Sequence, residues 1–216
     1  MNENESIKYK IALLGDTMVG KTSIFKKLFT SKFNEKTICT LGVDVRSIVF
    51  EDVEINANGN KNKCFEILIF DTAGQERFAS MPFSYIRGSD GIFIIYDITN
   101  KKSFDHIEKW SKSISDIISN HNNENYLVML LGNKLDLANE NKESRKVSAE
   151  EGQEICKKYN FDWGGECSAK DFTAQQFKDL VKNFVKKIYS HVVKSDNESI
   201  TVTKKNNKKK KKKKWC

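Results

Sequence analysis

Short apolar runs alternate with amphipathic stretches along most of the chain, and this alternation predicts the fold. Nearly continuous apolar residues occupy 91–96 and 126–132, which is typical of strands buried on both faces of a parallel sheet. Residues 8–14 predict another buried strand. Residues 43–55 alternate apolar and polar positions, and with residues 65–70 they predict a long hairpin.

Helical patterns lie between and after these strands. Residues 21–31, 103–119 and 148–159 predict three helices, and the segment from residue 173 onward predicts a fourth. Capping signals precede the last two, with Ser148 and Thr173 each followed three residues later by Glu or Gln. We therefore predict an α/β fold, a doubly wound and mostly parallel six-stranded sheet flanked by helices. Ligands bind at the carboxyl ends of the strands in such a fold.

The loop after the first strand carries the strongest motif. It matches G-x-x-x-x-G-K-[ST] between a strand and a helix, which is the context of the phosphate loop in P-loop NTPases. Glycines let successive N–H groups point at phosphate oxygens, and the following helix N-terminus favours the negative charge. Its lysine can reach the β- and γ-phosphates, and its final hydroxyl can bind Mg²⁺. The nucleotide-binding candidates here are Gly15, Asp16, Thr17, Met18, Val19, Gly20, Lys21 and Thr22.

A second group of polar residues follows the strand that ends near Phe70. Asp71 can hold Mg²⁺, usually through water, and the N–H of Gly74 can reach a γ-phosphate. Gln75 is placed to orient an attacking water. Lys21 and Gln75 are accordingly candidate catalytic residues.

Two further segments predict the base-binding site. In Asn133-Lys134-Leu135-Asp136, the carboxylate of Asp136 can accept bonds from the N1–H and 2-amino group of guanine, donors that adenine lacks. Ser168, Ala169 and Lys170 follow the last short strand, and a backbone N–H near Ala169 is predicted to meet the guanine oxygen. The predicted ligands are therefore GTP or GDP together with Mg²⁺.

Charge and cysteine usage restrict the class of protein. The net charge is +8, and the ten lysines from Lys194 onward, set against two acidic residues, account for all of it. We divide the chain into a flexible N-terminus (residues 1–7), a folded domain (8–193) and a disordered polybasic tail (194–216). The five cysteines show no C-x-x-C spacing, which argues against a disulfide framework or zinc site. No signal peptide is recognised at the start, so we expect a cytoplasmic protein.

Taken in order, these motifs resemble the Ras-like small GTPases, and within them the Rab branch, over residues 8–190. The resemblance implies a switch between GTP- and GDP-bound shapes with slow hydrolysis and a role in vesicle traffic. The partners that it implies are an exchange factor, a GTPase-activating protein, a GDP-dissociation inhibitor and effectors. It also implies that Thr40 reaches Mg²⁺ and the γ-phosphate, which makes Thr40 a third candidate catalytic residue. Phe33 is implied to lie against guanine, and the stem of Lys134 is implied to cover the base.

Several positions depart from the pattern of that family. Met18 stands where the family usually has glycine, which puts the intrinsic hydrolysis rate in question. Val45, Phe70 and Tyr85 occupy the effector-binding positions of Rab proteins, so we expect unusual effectors. The chain ends with a single cysteine, Cys216, rather than two.

Three alternatives stay open. One is a nucleotide-bound scaffold without useful hydrolysis, supported only by Met18; single-turnover hydrolysis distinguishes it. Another is a different Ras-like branch. The third is a nucleic-acid-binding module that uses the lysines, which we disfavour because no aromatic residue interleaves with them before Trp215.

The lysine tail predicts association with an anionic membrane. Each lysine near such a surface contributes about 1 kcal/mol, and one lipid chain together with a polybasic patch is enough for anchoring. Cys216 is the available acceptor, and the resemblance suggests geranylgeranylation. We expect a monomer that cycles between the cytoplasm and the cytosolic face of an internal or plasma membrane.

Overall fold

The computed structural model of this chain describes residues 6–30, 43–55, 62–72, 86–119 and 126–212. Its six strands form one sheet: β1 (Ile7–Leu14), β2 (Val43–Glu54), β3 (Asn62–Thr72), β4 (Gly91–Asp97), β5 (Leu127–Asn133) and β6 (Asp162–Glu166). Their order is β2-β3-β1-β4-β5-β6. Only β2 runs antiparallel to its neighbour, β3, and the other pairs are parallel. The predicted fold class is confirmed.

The described residues contain six α-helices, of which the first five lie between strands and the last follows β6: α1 (Lys21–Phe29), α2 (Lys101–Asp105), α3 (Ile107–Ser119), α4 (Leu135–Glu140), α5 (Ala149–Tyr159) and α6 (Ala174–Lys212). A short 3₁₀ turn spans Lys142–Ser144. The single helix predicted over residues 103–119 is instead two helices, α2 and α3, which meet at His106. The apolar periodicity continues across the break, so it does not reveal the change of helix.

The central strand β4 is buried on both faces, because its side chains alternate between two cores. Phe93 and Ile95 join a cluster with residues of α1 and α6. Ile92, Ile94 and Tyr96 join a second cluster with residues of α2, α3 and α5. A period of two therefore distributes an unbroken apolar run between the helical layers on the two sides of the sheet.

Reciprocal side-chain caps begin the last two helices, as predicted. At α5 the Glu151 N–H donates to Ser148 Oγ (3.2 Å), and the Ser148 N–H donates to Glu151 Oε2 (2.8 Å). At α6 Thr173 and Gln176 exchange the equivalent bonds at 3.2 and 2.8 Å. Each pair satisfies two N–H groups that the helix cannot satisfy internally.

The predicted long hairpin is confirmed as the antiparallel pair β2–β3, which directs the chain back along the edge of the sheet. Its register shifts between Phe50 and Val53, where Asp52 has φ 49°. The turn between the two strands lies outside the described residues, which resume at Asn62.

The last helix is longer than the sequence predicts. A disordered segment is expected from residue 194, whereas α6 continues to Lys212. Lysine is a good helix former, and extending an existing helix adds one hydrogen bond for each residue fixed. Among residues whose burial is described, Val192 is the last on α6 that packs against the core. No helix in the described ranges combines the length and apolar composition of a membrane span.

The side chain of Phe184 provides a test of how α6 is held. It is fully buried, and its ring centroid lies 4.8 Å from that of Phe93 on β4. We predict that Phe184→Ala lowers the free energy of unfolding by about 3–5 kcal/mol, because it leaves a cavity between helix and sheet. Urea denaturation measures this. Val193→Ala, at an exposed position of the same helix, is the control and should change stability by no more than about 0.5 kcal/mol. Equal effects of the two substitutions would contradict the packing of α6.

Candidate functional site

The candidate site lies at the sheet edge where the parallel strands end. β1, β4 and β5 end at Leu14, Asp97 and Asn133, and β4 and β5 are in register up to their last residues. Each of these strand ends leads into a loop with polar residues. The parallel arrangement therefore brings segments far apart in sequence to one edge, as expected for an open α/β sheet.

Two glycines shape the phosphate loop, residues 15–22. Gly15 has φ 135°, and a Cβ placed there would lie 2.1 Å from the carbonyl oxygen of Ile95. Gly20 has φ 100°, and a Cβ there would lie 2.2 Å from Asn133 Nδ2. Both positions thus require glycine, for backbone conformation and for space. α1 begins at the next residue and directs its N-terminus toward the loop, which favours an anion there.

Lys21 lies inside this loop. Its side chain is only 5% exposed, and Nζ donates to the carbonyl oxygens of Gly15 (2.8 Å) and Asp16 (2.7 Å). The ammonium is therefore held by two carbonyls of the loop. A phosphate bound there would receive a buried positive charge without a large movement of the lysine.

Met18 lies at the rim of the loop. It has φ 66°, the left-handed region that disfavours residues with a Cβ, and its side chain is 66% exposed. Thr17 and Val19 flank it, and Val19 is buried. The structure places an apolar side chain in solvent at the position that the family resemblance reserves for glycine.

The side chain of Asn133 connects the phosphate loop to the segment after β6. Its Nδ2 donates to the Val19 carbonyl (2.8 Å), and its Oδ1 accepts from the Ala169 N–H (3.1 Å). The Cys167 thiol lies 3.7 Å from the same oxygen, and burial raises the pKa of that thiol to about 12, so it stays protonated. The sequence predicts that a backbone N–H near Ala169 meets the guanine oxygen. The N–H of Ala169 itself donates to Asn133 Oδ1 in this structure, and the predicted base contact stays a prediction.

The predicted base-binding residues lie beside Asn133. Ser168 Oγ donates to Asp136 Oδ1 (2.8 Å) and accepts from the Asp171 N–H (2.9 Å). This orients the Asp136 carboxylate. Lys170 makes a surface ion pair with Glu140 (3.2 Å), and its carbonyl accepts from the buried Lys27 ammonium (3.0 Å).

Lys134 is held by a residue that the sequence analysis missed. Its Nζ lies 2.7 Å from Oδ2 of Asp97, the last residue of β4. The other oxygen, Oδ1, accepts from the N–H (2.8 Å) and hydroxyl (2.6 Å) of Thr99. Lys134 itself has φ 69°. An acidic residue directly after the buried run 91–96 is the signal that could have revealed Asp97.

Asp71 is a buried carboxylate beside the Thr22 hydroxyl. It is fully buried, and within the described ranges neither of its oxygens accepts a hydrogen bond of good geometry. Burial raises the pKa of Asp71, although the nearby Thr22 hydroxyl and Lys21 ammonium oppose the shift. A buried polar group without a partner calls for an explanation. A hydrated divalent cation would supply the missing donors and charge, so Asp71 and Thr22 fit such an ion.

The remaining predicted residues fall into two groups. Val45 and Phe70 are direct partners across β2–β3, so they share one face of the sheet, and Val45 is exposed. Residues outside the described ranges are Phe33, Thr40, Gly74, Gln75, Tyr85 and Cys216. Their predicted roles stay predictions.

Two buried aspartates at this edge should respond oppositely to neutralisation. With ligands and divalent cations removed, we predict that Asp71→Asn raises the free energy of unfolding at pH 7 by about 1 kcal/mol, since it removes an unpaired buried charge. Asp97→Asn should lower it by about 1–3 kcal/mol, because Asp97 is an acceptor in three bonds. Chemical denaturation measures both.

The pH dependence of the Asp71→Asn effect gives a further check. Since the pKa of Asp71 is raised in the folded state, the folded protein binds this proton more tightly than the unfolded chain does. The native carboxyl therefore lowers stability by the full amount above its folded pKa. This cost declines as the pH falls from the folded pKa toward the unfolded value near 3.8. The gain from Asp71→Asn should shrink toward acid pH. A gain that grows toward acid pH would contradict the burial of an unpaired charge.

Comparisons with known proteins agree with this geometry. A family model described as Ras family matches residues 10–205. The chain is similar to Ras-related protein Rab-10 of Caenorhabditis elegans, with 40% identity over 162 residues, which is 75% of this chain and 72% of that protein. It is 36% identical to Ras-related protein Rab-8B of Pongo abelii over 182 residues, 83% and 80% of the two chains. It is 35% identical to Ras-related protein SEC4 of Saccharomyces cerevisiae over 184 residues, 84% and 77% of the two chains.

The fold, the glycine-shaped loop around a buried lysine and the matching relatives all lead to the same assignment. The family match extends over nearly all of the folded part, and it includes both the phosphate loop and the segments around Asn133 and Ser168. The chain belongs to the Ras family of small GTPases, within its Rab branch.

Proposed function

We propose that this protein is a Rab-like GTP/GDP switch that hydrolyses GTP slowly with Mg²⁺ and regulates intracellular vesicle trafficking. The observation that carries the proposal is the double hydrogen bond of Asn133. It holds the phosphate loop and the segment after β6 on either side of one residue, so a single ligand with phosphates at one end and a base at the other can occupy both.

Specificity for guanine rests on Asp136 in this proposal. Ser168 orients one carboxylate oxygen, and the carboxylate can accept from the N1–H and 2-amino group of guanine. With adenine a buried acceptor would be left unpaired, at a cost of about 1–3 kcal/mol. Lys134, held by Asp97, is the residue proposed to lie along the base, and Phe33 is proposed to lie against it.

In this proposal, Mg²⁺ binds on the side of the site that the phosphate loop forms. Thr22 would bind it through its hydroxyl and Asp71 through water, with Thr40 as a further ligand by family pattern. The unpaired Asp71 oxygens support this assignment. When bound, the ion supplies positive charge at the β- and γ-phosphate oxygens. Lys21 adds its buried ammonium to the same oxygens.

Hydrolysis in this proposal depends on positioning and on charge stabilisation. Gln75 orients the attacking water, and the N–H of Gly74 contacts the γ-phosphate. No arginine in the matched motifs is placed to stabilise the transferring phosphoryl group, so rapid turnover depends on a GTPase-activating protein. An exchange factor, a GDP-dissociation inhibitor and effectors are the other expected partners, and Val45, Phe70 and Tyr85 are the proposed effector contacts.

Met18 favours a second candidate function, a nucleotide-bound scaffold without useful hydrolysis. Its left-handed backbone and its exposed apolar side chain place bulk at the rim of the phosphate loop. Single-turnover GTP hydrolysis by the native protein and by Met18→Gly separates the two functions: a rate restored only by glycine supports the scaffold.

The tail gives the proposal its membrane component. The lysines from Lys204 to Lys214 would associate with an anionic leaflet, and a prenyl group on Cys216 would add the lipid chain. The protein would cycle, as a monomer, between the cytoplasm and the cytosolic face of a membrane.

Asp136→Asn tests the nucleotide assignment. The native protein should bind GDP with nanomolar or tighter affinity and bind ATP far more weakly. The variant should prefer xanthine nucleotides, because an amide can donate to the 2-carbonyl of xanthine. Competition of GDP, GTP and ATP against fluorescent GDP measures the preference of the native protein. Competition of GDP and XDP against fluorescent XDP measures that of the variant. Glu140→Gln, at an exposed ion pair nearby, is the control and should leave the order unchanged. Equal affinity of the native protein for ATP and GTP would exclude the proposal.

Cys216→Ser tests the membrane component. We predict that this variant moves to the cytosol in cells, because electrostatic attraction without a lipid chain is screened at physiological salt. An N-terminal fluorescent tag reports the location. Replacing the lysines 208–214 by glutamine, with Cys216 intact, should also weaken membrane association. A Cys216→Ser protein that stays on the same membrane as the native protein would rule out the lipid.

A further inference from the structure

One side chain of the phosphate loop is bound by two aromatic donors from outside the loop. Asp16 is 9% exposed. Its Oδ2 lies 2.6 Å from His106 Nδ1, and its Oδ1 accepts from Trp110 Nε1 at 3.1 Å. Because a carboxylate only accepts hydrogen bonds, His106 Nδ1 carries the proton and donates it. Both oxygens of Asp16 are therefore held by rings from another part of the chain.

The two donors are placed by a well-packed backbone. His106 is the residue between α2 and α3, and its carbonyl accepts from the Trp110 N–H at 3.1 Å. The spacing of four residues puts both side chains on the same side of the helical path. Ile107, between them, is fully buried, as are most of its neighbours in the second core. His106 at the break and Trp110 one turn later in α3 therefore each direct an N–H group to Asp16 of the phosphate loop.

The same aspartate touches the catalytic lysine. The Asp16 carbonyl accepts from Lys21 Nζ at 2.7 Å, so the residue whose side chain is fixed by His106 and Trp110 also fixes the ammonium through its backbone. The next two residues are Thr17 and the left-handed Met18. A backbone that contains a strained residue needs external contacts to stay in one conformation. The Asp16 side chain provides such contacts, and hydrogen bonds to a charged group are the strong ones.

We propose that His106 is a positioning residue for the phosphate loop. Acting through Asp16, it holds the loop and Lys21 in the arrangement that receives the β-phosphate of the nucleotide. This inference rests on the proposed function, because it assumes that a guanine nucleotide occupies the loop.

A positioning role of His106 and a purely structural role predict different effects on ligand affinity. If His106 only stabilised the fold, its loss would weaken every ligand of the site alike. If it positions the loop, its loss weakens ligands in proportion to their contact with the loop. GDP places a β-phosphate there, whereas GMP has none, and both present the same base to Asp136.

The test compares four variants by release of fluorescent GDP in Mg²⁺ buffer, by competition with GDP and GMP, and by thermal unfolding. His106→Leu removes the donor and keeps an apolar side chain. His106→Asn keeps an N–H donor at nearly the same distance from the backbone, since Nδ2 of asparagine and Nδ1 of histidine both follow Cγ. Trp110→Phe removes the second donor and keeps an aromatic ring. His191→Leu, at a half-buried histidine of α6, is the matched control.

We expect His106→Leu to speed GDP release about tenfold, which corresponds to ~1.4 kcal/mol, and to leave the affinity for GMP unchanged. His106→Asn should restore native release, Trp110→Phe should speed release in the same direction, and His191→Leu should have no effect. Trp110→Phe also tests the idea independently should His106→Leu fail to fold.

Two results would overturn the inference while leaving the proposed function intact. One is native release of GDP from both His106→Leu and Trp110→Phe. The other is a parallel loss of GDP and GMP affinity, with no rescue by asparagine. A native protein that binds neither nucleotide would instead overturn the proposed function, and the inference with it.

Discussion

The site depends on the buried amide of Asn133. An amide offers a donor and an acceptor from one rigid group, and here the donor binds Val19 of the phosphate loop while the acceptor binds Ala169 after β6. A carboxylate of the same shape would lose the donor and leave the Val19 carbonyl unsatisfied in a buried place. The backbones of Gly132 and Leu135 also bond to Cys167 in the segment after β6, at 2.7 and 3.0 Å. The mutual position of the two ligand-binding segments therefore follows from Asn133, from these backbone bonds and from the register of β4 and β5.

Several unfavourable features lie in the loops of the candidate site. Asp71 is buried and, within the described ranges, accepts no hydrogen bond of good geometry, and Met18 and Lys134 have left-handed backbones. Each lowers the stability of the ligand-free protein. The two packed cores on either side of β4 stabilise the fold and offset the cost of the buried carboxylate and of the left-handed residues. A bound nucleotide and cation would relieve part of the same strain, since they supply the charges and donors that the empty site lacks, which links ligand binding to stability.

Much of the fold could be predicted from the sequence, because its signals are local. An apolar run such as 91–96 predicts a strand whichever strands lie beside it, and the Ser148 and Thr173 caps act within one helical turn. The role of the glycines at 15 and 20 in the phosphate loop was predicted from motif spacing. The structure shows why glycine is needed there, because a Cβ at either position would collide with a neighbouring atom. Lys21, Asn133 and Asp136 were recognised in the same way, as short segments that each follow a strand.

The sequence by itself therefore determined the element types, the strand-end loops and the chemistry that these loops carry. Only the tertiary structure decided which of them meet. Asp97 holds Lys134, 37 residues further along the chain. His106, 90 residues after Asp16, holds that aspartate together with Trp110. Such pairs leave no local pattern, because a hydrogen bond between distant residues depends on how strands and helices pack. The break at His106 was missed for the same reason. Apolar periodicity shows which side of a helix is buried, whereas the point where the helix ends depends on tertiary packing.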